Sequence, residues 1–372
     1  MSAILPQAQA LVSGLQALMP SVYQQDSLQA LLGLFLEGQG SPLPEHCKTK
    51  SASALSRFLN EYKWPTRQVI RAVRQAVLQQ ILSQPRVGRR PTLQVILDLT
   101  TVEKVGKFKE FKHLIRVYNR KRGLHLVMLY LVVGQWRVPW GFRIYRGKDT
   151  PSPAKLGLRL VKSLPKTLTQ QFEVLILADT AFGSNAFITR VRKLKHHALV
   201  GVPCDRRLED GRNVAQLHKR GQQLRLLGLK FPVHLSWYYF KRSDGKLEKR
   251  YVLSTKALKG STITWWGRRR WGIEGFFKTI KHRFGLHRFG QQTLLGVYRW
   301  LVLSLTAYLL AHWAHLHLEG GGARPDWGEA AQKALELLLP LMALFPLLAE
   351  IQRLRPLAKR YGLDINVDWC KM

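Results

Sequence analysis

The sequence predicts an α/β protein whose centre is a mixed sheet. Two short apolar segments, residues 93–97 and 172–178, are typical of buried strands, and an aspartate directly follows each of them. Residues 125–145 have the pattern of a hairpin, because two strand-like runs flank the turn residues Gly134 and Gln135. We therefore expect the first three strands to form an antiparallel meander and the later ones, which alternate with helix patterns, to form a right-handed parallel crossover.

Helical regions flank this core. Apolar residues recur at helical spacing in four segments before residue 85 and again from residue 291 onward. We predict an N-terminal helical region over residues 1–88, a sheet domain over 89–290 with a β-rich insertion at about 201–262, and a C-terminal helical region over 291–372. The N-terminal region has a basic edge that includes Arg71 and Arg74. Two interpretations of it stay open: a bundle that binds DNA, or a packing domain with a solvated basic face.

The formal net charge of the chain is +36. An excess of this size attracts a polyanion, and nucleic acid is the polyanion that such proteins most often bind. The charge belongs to particular surfaces, because residues 104–122 hold eight basic residues and one acid, whereas residues 1–50 hold two lysines and three acids. An apolar content of 46% is ample for a core and argues against disorder.

One segment raises the question of a membrane. Residues 300–318 carry no charge, but they include His312, His315 and His317 and follow directly on a basic segment. We interpret them as a buried core helix and expect no membrane partner. The three cysteines are scattered and odd in number, which fits a reducing cytosol. The cysteine content and the basic charge together predict a cytoplasmic, nucleoid-associated protein.

Three acids are the candidate catalytic residues. Asp98 and Asp179 follow apolar strands, and ligand sites in open α/β sheets lie at the carboxyl ends of strands. The third acid, Glu274, is the single carboxylate between residues 264 and 290, among seven lysines and arginines. On a continuous helix it would share one face with Gly267, Arg270 and Lys281. An ordinary surface helix, with Arg270 and Lys278 paired to Glu274, is the other interpretation of this segment.

Other acids fit less well. Asp149 also follows a strand, but Pro151 assigns it to a loop. Glu173 precedes its strand and would lie at the wrong edge of the sheet. Glu103 and Glu110 lie in the basic segment, where local ion pairs are the expected role.

Three carboxylates close together repel one another unless a cation neutralises them. Hard divalent ions with oxygen ligands do so, and two magnesium ions about 3.5–4 Å apart can activate an attacking oxygen and stabilise a leaving one at phosphorus. Lysines and arginines around the acids would hold a polyanionic substrate. Asp98, Asp179 and Glu274 are therefore the predicted metal ligands.

The segment around Glu274 resembles bacterial insertion-sequence transposases of the DDE type, in the group with a tyrosine–arginine–glutamate–lysine signature. That signature has the spacing Y-(2)-R-(3)-E-(6)-K, and Arg270, Glu274 and Lys281 fit it. The tyrosine position is Gly267, for which a neighbouring tryptophan, Trp265 or Trp266, is the candidate substitute. The resemblance covers about residues 45–310, including the sequences around both aspartates.

The resemblance implies a ribonuclease-H-like core with a β-rich insertion before the glutamate helix. It implies a transposase that nicks transposon ends with water and then uses the freed 3′-hydroxyl for strand transfer into target DNA. Two Mg²⁺ ions, which Mn²⁺ can replace, would be the cofactors. Arg270 and Lys281 would hold terminal phosphates, and the partner would be double-stranded DNA, both terminal repeats and target, bound by a homodimer in the synapse.

Two other functions share these features: a catalytically inactive DNA-binding protein derived from such an enzyme, and a nuclease without strand transfer. Intact acids at all three positions favour the enzyme, because a carboxylate that faces DNA without a metal only weakens binding.

The insertion is the second predicted DNA contact. Its hairpin, residues 231–254, brings basic residues together beside Trp237 and Tyr239, namely Lys241, Arg242, Lys249 and Arg250. Alternation places Tyr238 and Phe240 on the opposite face, so only one aromatic pair is expected in the core. A hairpin that contacts the transposon end and a purely structural sheet both remain open.

Overall fold

The structure is a computed structural model that describes residues 4–83, 90–104, 111–241, 244–320 and 325–367. The chain divides into two compact units. Residues 1–76 and 280–372 form the helical unit, and residues 77–279 form the sheet unit.

The described helices are α1 (Ile4–Ala17), α2 (Val22–Glu37), α3 (Ala52–Asn60), α4 (Thr66–Leu82), α5 (Pro153–Lys162), α6 (Lys166–Gln171), α7 (Asn185–Lys193), α8 (Gly260–Arg269), α9 (Gly272–His282), α10 (Leu294–Glu319), α11 (Trp327–Leu338) and α12 (Pro340–Arg360). The described strands are β1 (Thr92–Glu103), β2 (Arg116–Tyr118), β3 (Lys121–Val133), β4 (Trp136–Tyr145), β5 (Glu173–Ala178), β6 (His197–Val202), β7 (Gln222–Leu224), β8 (Val233–Lys241) and β9 (Leu247–Ser254).

Helix α10 is the centre of the helical unit. It is long and apolar enough to cross a membrane by length and composition, but 83% of its most apolar window is buried inside the protein. It packs against α1, α2, α3 and α11. A helix that is apolar on every side is expected in a core, so the interpretation of residues 300–318 as a buried helix agrees with the structure.

The sheet has the order β2-β3-β1-β5-β6-β9-β8-β7, and β4 also pairs with β3. Strands β1, β3 and β4 form an antiparallel meander, and β5 and β6 run parallel to β1. This is the ribonuclease-H-like arrangement, and the predicted mixed-sheet fold with flanking helices is confirmed. Helix α5 covers the meander side of the sheet, where it packs on β1, β3 and β4.

The β-rich insertion continues the central sheet. Strand β9 pairs antiparallel with β6, from Leu199 opposite Ser254 to Val202 opposite Tyr251. Strands β8 and β7 then extend the sheet outward, and α8 packs on β6, β8 and β9. The insertion is therefore held by backbone hydrogen bonds to the core.

Strand β1 is longer than the apolar pattern predicts. We expected it to end at Leu97, and its parallel pairing with β5 does end there, at Leu97 opposite Ala178. Its antiparallel pairing with β3 continues as far as Glu103 opposite Gly123. Residues 98–103 carry no apolar run of their own, so their strand conformation depends on this partner.

The segment around Glu274 forms two helices, so the expectation of one continuous helix is wrong. Helix α8 ends at Arg269, and α9 begins at Gly272. At the junction Trp271 N–H donates to Arg268 O (3.1 Å) and Ile273 N–H donates to Arg270 O (3.2 Å). These tight three-residue turns interrupt the α-helical ladder, and the glycine at position 272 favours such a break.

Candidate active site

A cavity of about 760 Å³ opens at the carboxyl edge of the sheet, within the sheet unit. The ends of β5 and β6, the β8–β9 hairpin and the α8–α9 junction supply its walls. Its charged and aromatic lining comprises Asp98, Asp179, Tyr238, Phe240, Glu248, Lys249, Arg250, Tyr251, Arg270, Trp271 and Glu274. The structure thus brings the three predicted acids and Arg270 to one cavity.

The sheet register positions the two aspartates. Asp98 and Asp179 each follow the last residue of the parallel β1–β5 pairing, Leu97 opposite Ala178, and neighbouring strands lie about 4.8 Å apart. Asp98 Oδ1 accepts a hydrogen bond from Leu99 N–H (2.8 Å), and Asp179 Oδ1 accepts one from Ala181 N–H (3.0 Å). These backbone contacts hold one oxygen of each carboxylate.

Arg270 links the acids across the cavity. Its Nη1 donates to Asp98 Oδ2 (2.7 Å), and its Nη2 lies 3.4 Å from Glu274 Oε1. The side chains of Arg270 and Asp98 are only 12% and 11% exposed, whereas that of Glu274 is 47% exposed. The short contact to Asp98 is thus a shielded ion pair, and the longer one to Glu274 is open to solvent.

One guanidinium does not compensate this group of acids. Burial raises the pKa of Asp98 to about 6, Arg270 acts against this shift, and the charges of Asp179 and Glu274 add to it. Burial also raises the pKa of Asp179, while Arg270 and the Ala181 N–H lower it. The carboxylates therefore lie in an environment that favours a further positive charge.

The donor set fits a hard divalent ion. All three acids offer carboxylate oxygens, the ligands that Mg²⁺ and Mn²⁺ prefer, and the pKa values of the two aspartates are raised mainly because burial disfavours their charged forms. Within the described ranges, however, no three acidic, histidine or cysteine side chains stand close enough together to hold a metal ion. Arg270 is the cation between Asp98 and Glu274 in this arrangement.

Aromatic and cationic side chains form another part of the cavity lining. Phe240 and Trp271 stack with ring centroids 4.7 Å apart, and Trp271 Nε1 donates to Tyr238 Oη (3.3 Å). The Arg250 guanidinium lies 4.3 Å from the Phe240 ring centroid. Trp271 was not among the predicted site residues, although its position directly after Arg270 could have indicated that it lies at the site.

Gly267, at the signature's tyrosine position, also lines the cavity. A Cβ atom there would lie 3.1 Å from Val252 Cγ2 and 3.4 Å from Tyr238 Cε1, so a larger side chain would displace these neighbours. Trp265 and Trp266 are not among the residues that line the cavity. Trp265 is 48% exposed, and the guanidinium of Arg269 lies 3.9 Å from its ring centroid.

The predicted basic cluster of the hairpin divides between the two faces of the sheet. Arg250 lies over Phe240 on the cavity face, whereas Lys249 lies 4.3 Å from the Trp237 ring centroid on the other face. Lys241 is exposed near the end of β8, opposite Leu247. Arg242 lies outside the described residues.

The expectation that only one aromatic pair of β8 is buried is wrong. Trp237 and Tyr238, on opposite faces, are both buried, whereas Tyr239 is 53% exposed. The hairpin is covered on both faces near the core and exposed toward its tip. The burial of each side chain therefore depends on its distance from the core as well as on the face to which it points.

The remaining candidates lie elsewhere. Lys281 is in the last turn of α9 and does not line the cavity. Asp149 is an exposed loop residue with φ of 67°. Glu173 begins β5 at the opposite edge of the sheet, where its carboxylate pairs with Lys256 Nζ at 2.6 Å.

Comparison with known proteins gives three findings. The search of curated proteins finds no match. Among solved structures, the chain is similar to a piggyBac transposase, determined by cryo-electron microscopy as a synaptic complex with hairpin DNA, at a TM-score of 0.49 and 13% identity over 99% of this chain and 84% of that one. A family model described as the transposase DDE domain matches residues 89–310, which is more than half of the chain. The chain therefore belongs to the DDE-domain transposase family and is a DNA transposase.

Proposed function

We propose that Asp98, Asp179 and Glu274 are the catalytic acids of this transposase and hold its divalent ions. The observation that carries the proposal is the meeting of all three at one cavity, where Arg270 interacts with each of them. Two Mg²⁺ ions, or Mn²⁺ in their place, would supply charge neutralisation at the reacting phosphate and activation of the attacking oxygen. The reaction proposed is cleavage at the ends of an insertion sequence and transfer of the freed strand into target DNA.

Arg270 has two successive roles in this proposal. In the structure, its guanidinium holds Asp98 Oδ2 and lies near Glu274 Oε1, so these oxygens have a cationic partner. Guanidinium groups also bind phosphate in bidentate geometry. When a DNA phosphate enters the cavity, Arg270 transfers from the carboxylates to that phosphate. The freed carboxylate oxygens then become available as metal ligands.

Other basic and aromatic residues hold the DNA in the proposal. Arg250 and Lys249 both border the cavity but extend their side chains over opposite faces of the hairpin, and Lys241 lies farther out along the same hairpin. With Arg242, Lys281, Trp265 and Trp266, these are the candidate contacts to the transposon end. The exposed ring of Trp265 beside Arg269 would suit base stacking, which contributes about 1–3 kcal/mol per base.

The finer assignment is to the bacterial insertion-sequence group with the tyrosine–arginine–glutamate–lysine signature. Its support is the spacing of Arg270, Glu274 and Lys281, with glycine at the tyrosine position. We further propose a homodimer on synapsed double-stranded DNA, a cytoplasmic, nucleoid-associated location, and a contribution of the helical region, residues 1–88, to DNA binding.

The test uses the terminal repeats of the element that encodes the chain. With Mg²⁺, the full chain should cut these ends and join them to a target duplex. Cleavage without joining would indicate a nuclease, and end binding without cleavage would indicate a repurposed DNA-binding protein. Because each phosphate contact contributes about 0.9 to the log–log salt slope and on the order of ten contacts are expected, a slope shallower than roughly −3 would contradict the assignment of the charge to DNA.

A further inference from the structure

The central sheet has two projections beyond the edge at which Asp98 and Asp179 lie. Strands β5 and β6, which form the floor between the projections, end at Ala178 and Val202. On one side, β1 continues over residues 99–103, where it pairs with β3. At 3.3 Å per residue this projection is about 16 Å long. On the other side, residues 247–250 of β9 pair with β8 alone among the described strands, a projection of about 13 Å by the same spacing.

The strand order places these projections on opposite sides of the acids. From β1 the order runs through β5 and β6 to β9, three steps of about 4.8 Å, or about 14 Å between backbones. A DNA strand with one phosphate at the acids would therefore leave the cavity past the β8–β9 hairpin in one direction and past the β1–β3 projection in the other. We call the latter, with β2 added at its edge, the arm (residues 99–103 and 116–127).

The arm is basic and exposed. Arg116, Arg120, Lys121 and Arg122 all have exposed side chains. Lys121 pairs with Glu103 (3.0 Å), whereas Arg116 and Arg120 form no ion pair within the described parts of the chain. Asn119 and Arg120, at φ of 48° and 62°, form the two-residue turn between β2 and β3, so Arg120 lies at the tip.

Side-chain contacts hold the base of the arm beside the acids. The two ring nitrogens of His125 share hydrogen bonds with Thr101 Oγ1 (2.9 Å) and Arg116 O (3.0 Å), which tie β1, β3 and β2 together. The ring of Tyr118 packs edge-on against those of His125 and Tyr145. The charge of Asp179 contributes to a raised pKa of Tyr118, behind the larger effect of burial, so the arm lies within electrostatic range of that acid.

We infer that the arm binds the backbone of the DNA that flanks the element, on the side of the cut phosphate opposite the β8–β9 hairpin. The inference rests on the proposed function, in which the hairpin and its neighbours hold the transposon end. Arg116 and Arg120 are exposed and have no carboxylate partner among the residues that the structure describes, so they complement phosphate. They lie on the side of the acids opposite the hairpin, which assigns them to the DNA beyond the cut. Backbone contacts of this kind depend little on base sequence, as flanking DNA requires.

The test compares two duplexes that carry the same terminal repeat. One ends flush at the last base of the element, and the other continues into about two helical turns of flanking DNA. The variant is Arg116→Gln/Arg120→Asn, because asparagine tolerates the positive φ at position 120. The matched control is Lys155→Gln/Arg159→Gln, which removes two exposed charges from α5 in the same unit. Binding is measured over a salt series in Ca²⁺, with circular dichroism as the check on folding.

The wild-type chain should bind the flanked duplex more tightly than the flush one. The arm variant should lose about tenfold on the flanked duplex, with a salt slope shallower by about 2, and should bind the flush duplex like the wild type. The control variant should show small and equal changes in its affinities for the flanked and flush duplexes. An equal loss on both duplexes, or no loss on either, would overturn the inference. Failure of the wild-type chain to bind either duplex specifically would instead contradict the proposed function.

Discussion

Arg270 and Arg299 are two largely buried arginines with opposite surroundings. In the sheet unit, Arg270 is held by the carboxylates of Asp98 and Glu274. In the helical unit, Arg299 is 2% exposed and has no carboxylate partner among the described residues. Its donors reach the backbone oxygens of Phe58, Leu59 and Trp64 at 2.9–3.2 Å and the hydroxyl of Thr66 at 3.0 Å.

The two environments differ in what can replace the arginine. Backbone carbonyls near the end of a helix carry partial negative charge and cannot leave, so Arg299 is fixed, and burial lowers its pKa to about 10 without releasing its proton at neutral pH. Carboxylates carry full negative charges, and a metal ion can replace the arginine as their positive partner. The comparison teaches that a shielded arginine marks a functional site when it pairs with a buried acid whose pKa is raised, as Asp98 is here, and a structural contact when its partners are backbone oxygens.

The largest expected effect tests the acids themselves. Asp98→Asn, Asp179→Asn and Glu274→Gln should each lower Mg²⁺-dependent cleavage of transposon ends by about 10³-fold or more, because several kcal/mol of charge stabilisation is lost. End binding should be unchanged or tighter, since negative charge near DNA is removed. Near-normal cleavage by any one variant would remove that residue from the assignment.

The next effect tests the structural arginine. Arg299→Met should lower the free energy of unfolding by about 3 kcal/mol or more, because several buried carbonyls lose their donors at about 1–3 kcal/mol each. Urea unfolding followed by circular dichroism measures the loss. Arg159→Met, on the exposed face of α5, is the matched control and should have little effect. A loss as small as that of the control would mean that Arg299 does not organise the helical unit.

Arg270→Gln sharpens the comparison. Without metal it should destabilise the chain, because the acids lose their cation, and Mn²⁺ should restore the stability. Its Mn²⁺ affinity without DNA should be about tenfold higher than that of the wild type, a gain of about 1.4 kcal/mol from removal of the competing cation. Electron paramagnetic resonance of free Mn²⁺ measures this affinity. If Mn²⁺ stabilised Arg299→Met equally, the distinction between the two arginines would fail.

The smallest effect is a pH dependence. The folded-state pKa of Asp98 is about 6, above its ordinary value of 3.8, so its protonated form is favoured in the folded chain. The resulting stabilisation is fully present below pH 3.8 and is lost as the pH rises through about 6. Relative to Asp98→Asn, the metal-free wild type should therefore lose on the order of 1 kcal/mol between pH 5 and pH 8. A difference that does not change with pH would contradict the raised pKa.

Local patterns were sufficient for much of the fold. Apolar runs and turn residues predicted strands β3, β4, β5 and β6 and the order of the core. They also predicted that Asp98 and Asp179 lie together, because both acids follow apolar runs that become neighbouring parallel strands. The short strand β2 and the last residues of β1 were missed, since their conformation comes from pairing with β3.

The sequence by itself determined the basic character of the chain, the order of an antiparallel meander followed by a parallel crossover, and the three candidate acids, because composition, hydrophobic periodicity and residue spacing are local properties. Only the tertiary structure decided that the helix before Glu274 breaks at Arg270 and that Arg270 pairs with Asp98, 172 residues earlier in the chain. It also decided that Tyr238 and Val252 fill the space beside Gly267 and that Lys249 and Arg250 face opposite ways. Such features depend on which surfaces meet across the fold, and contacts between distant residues leave no local pattern.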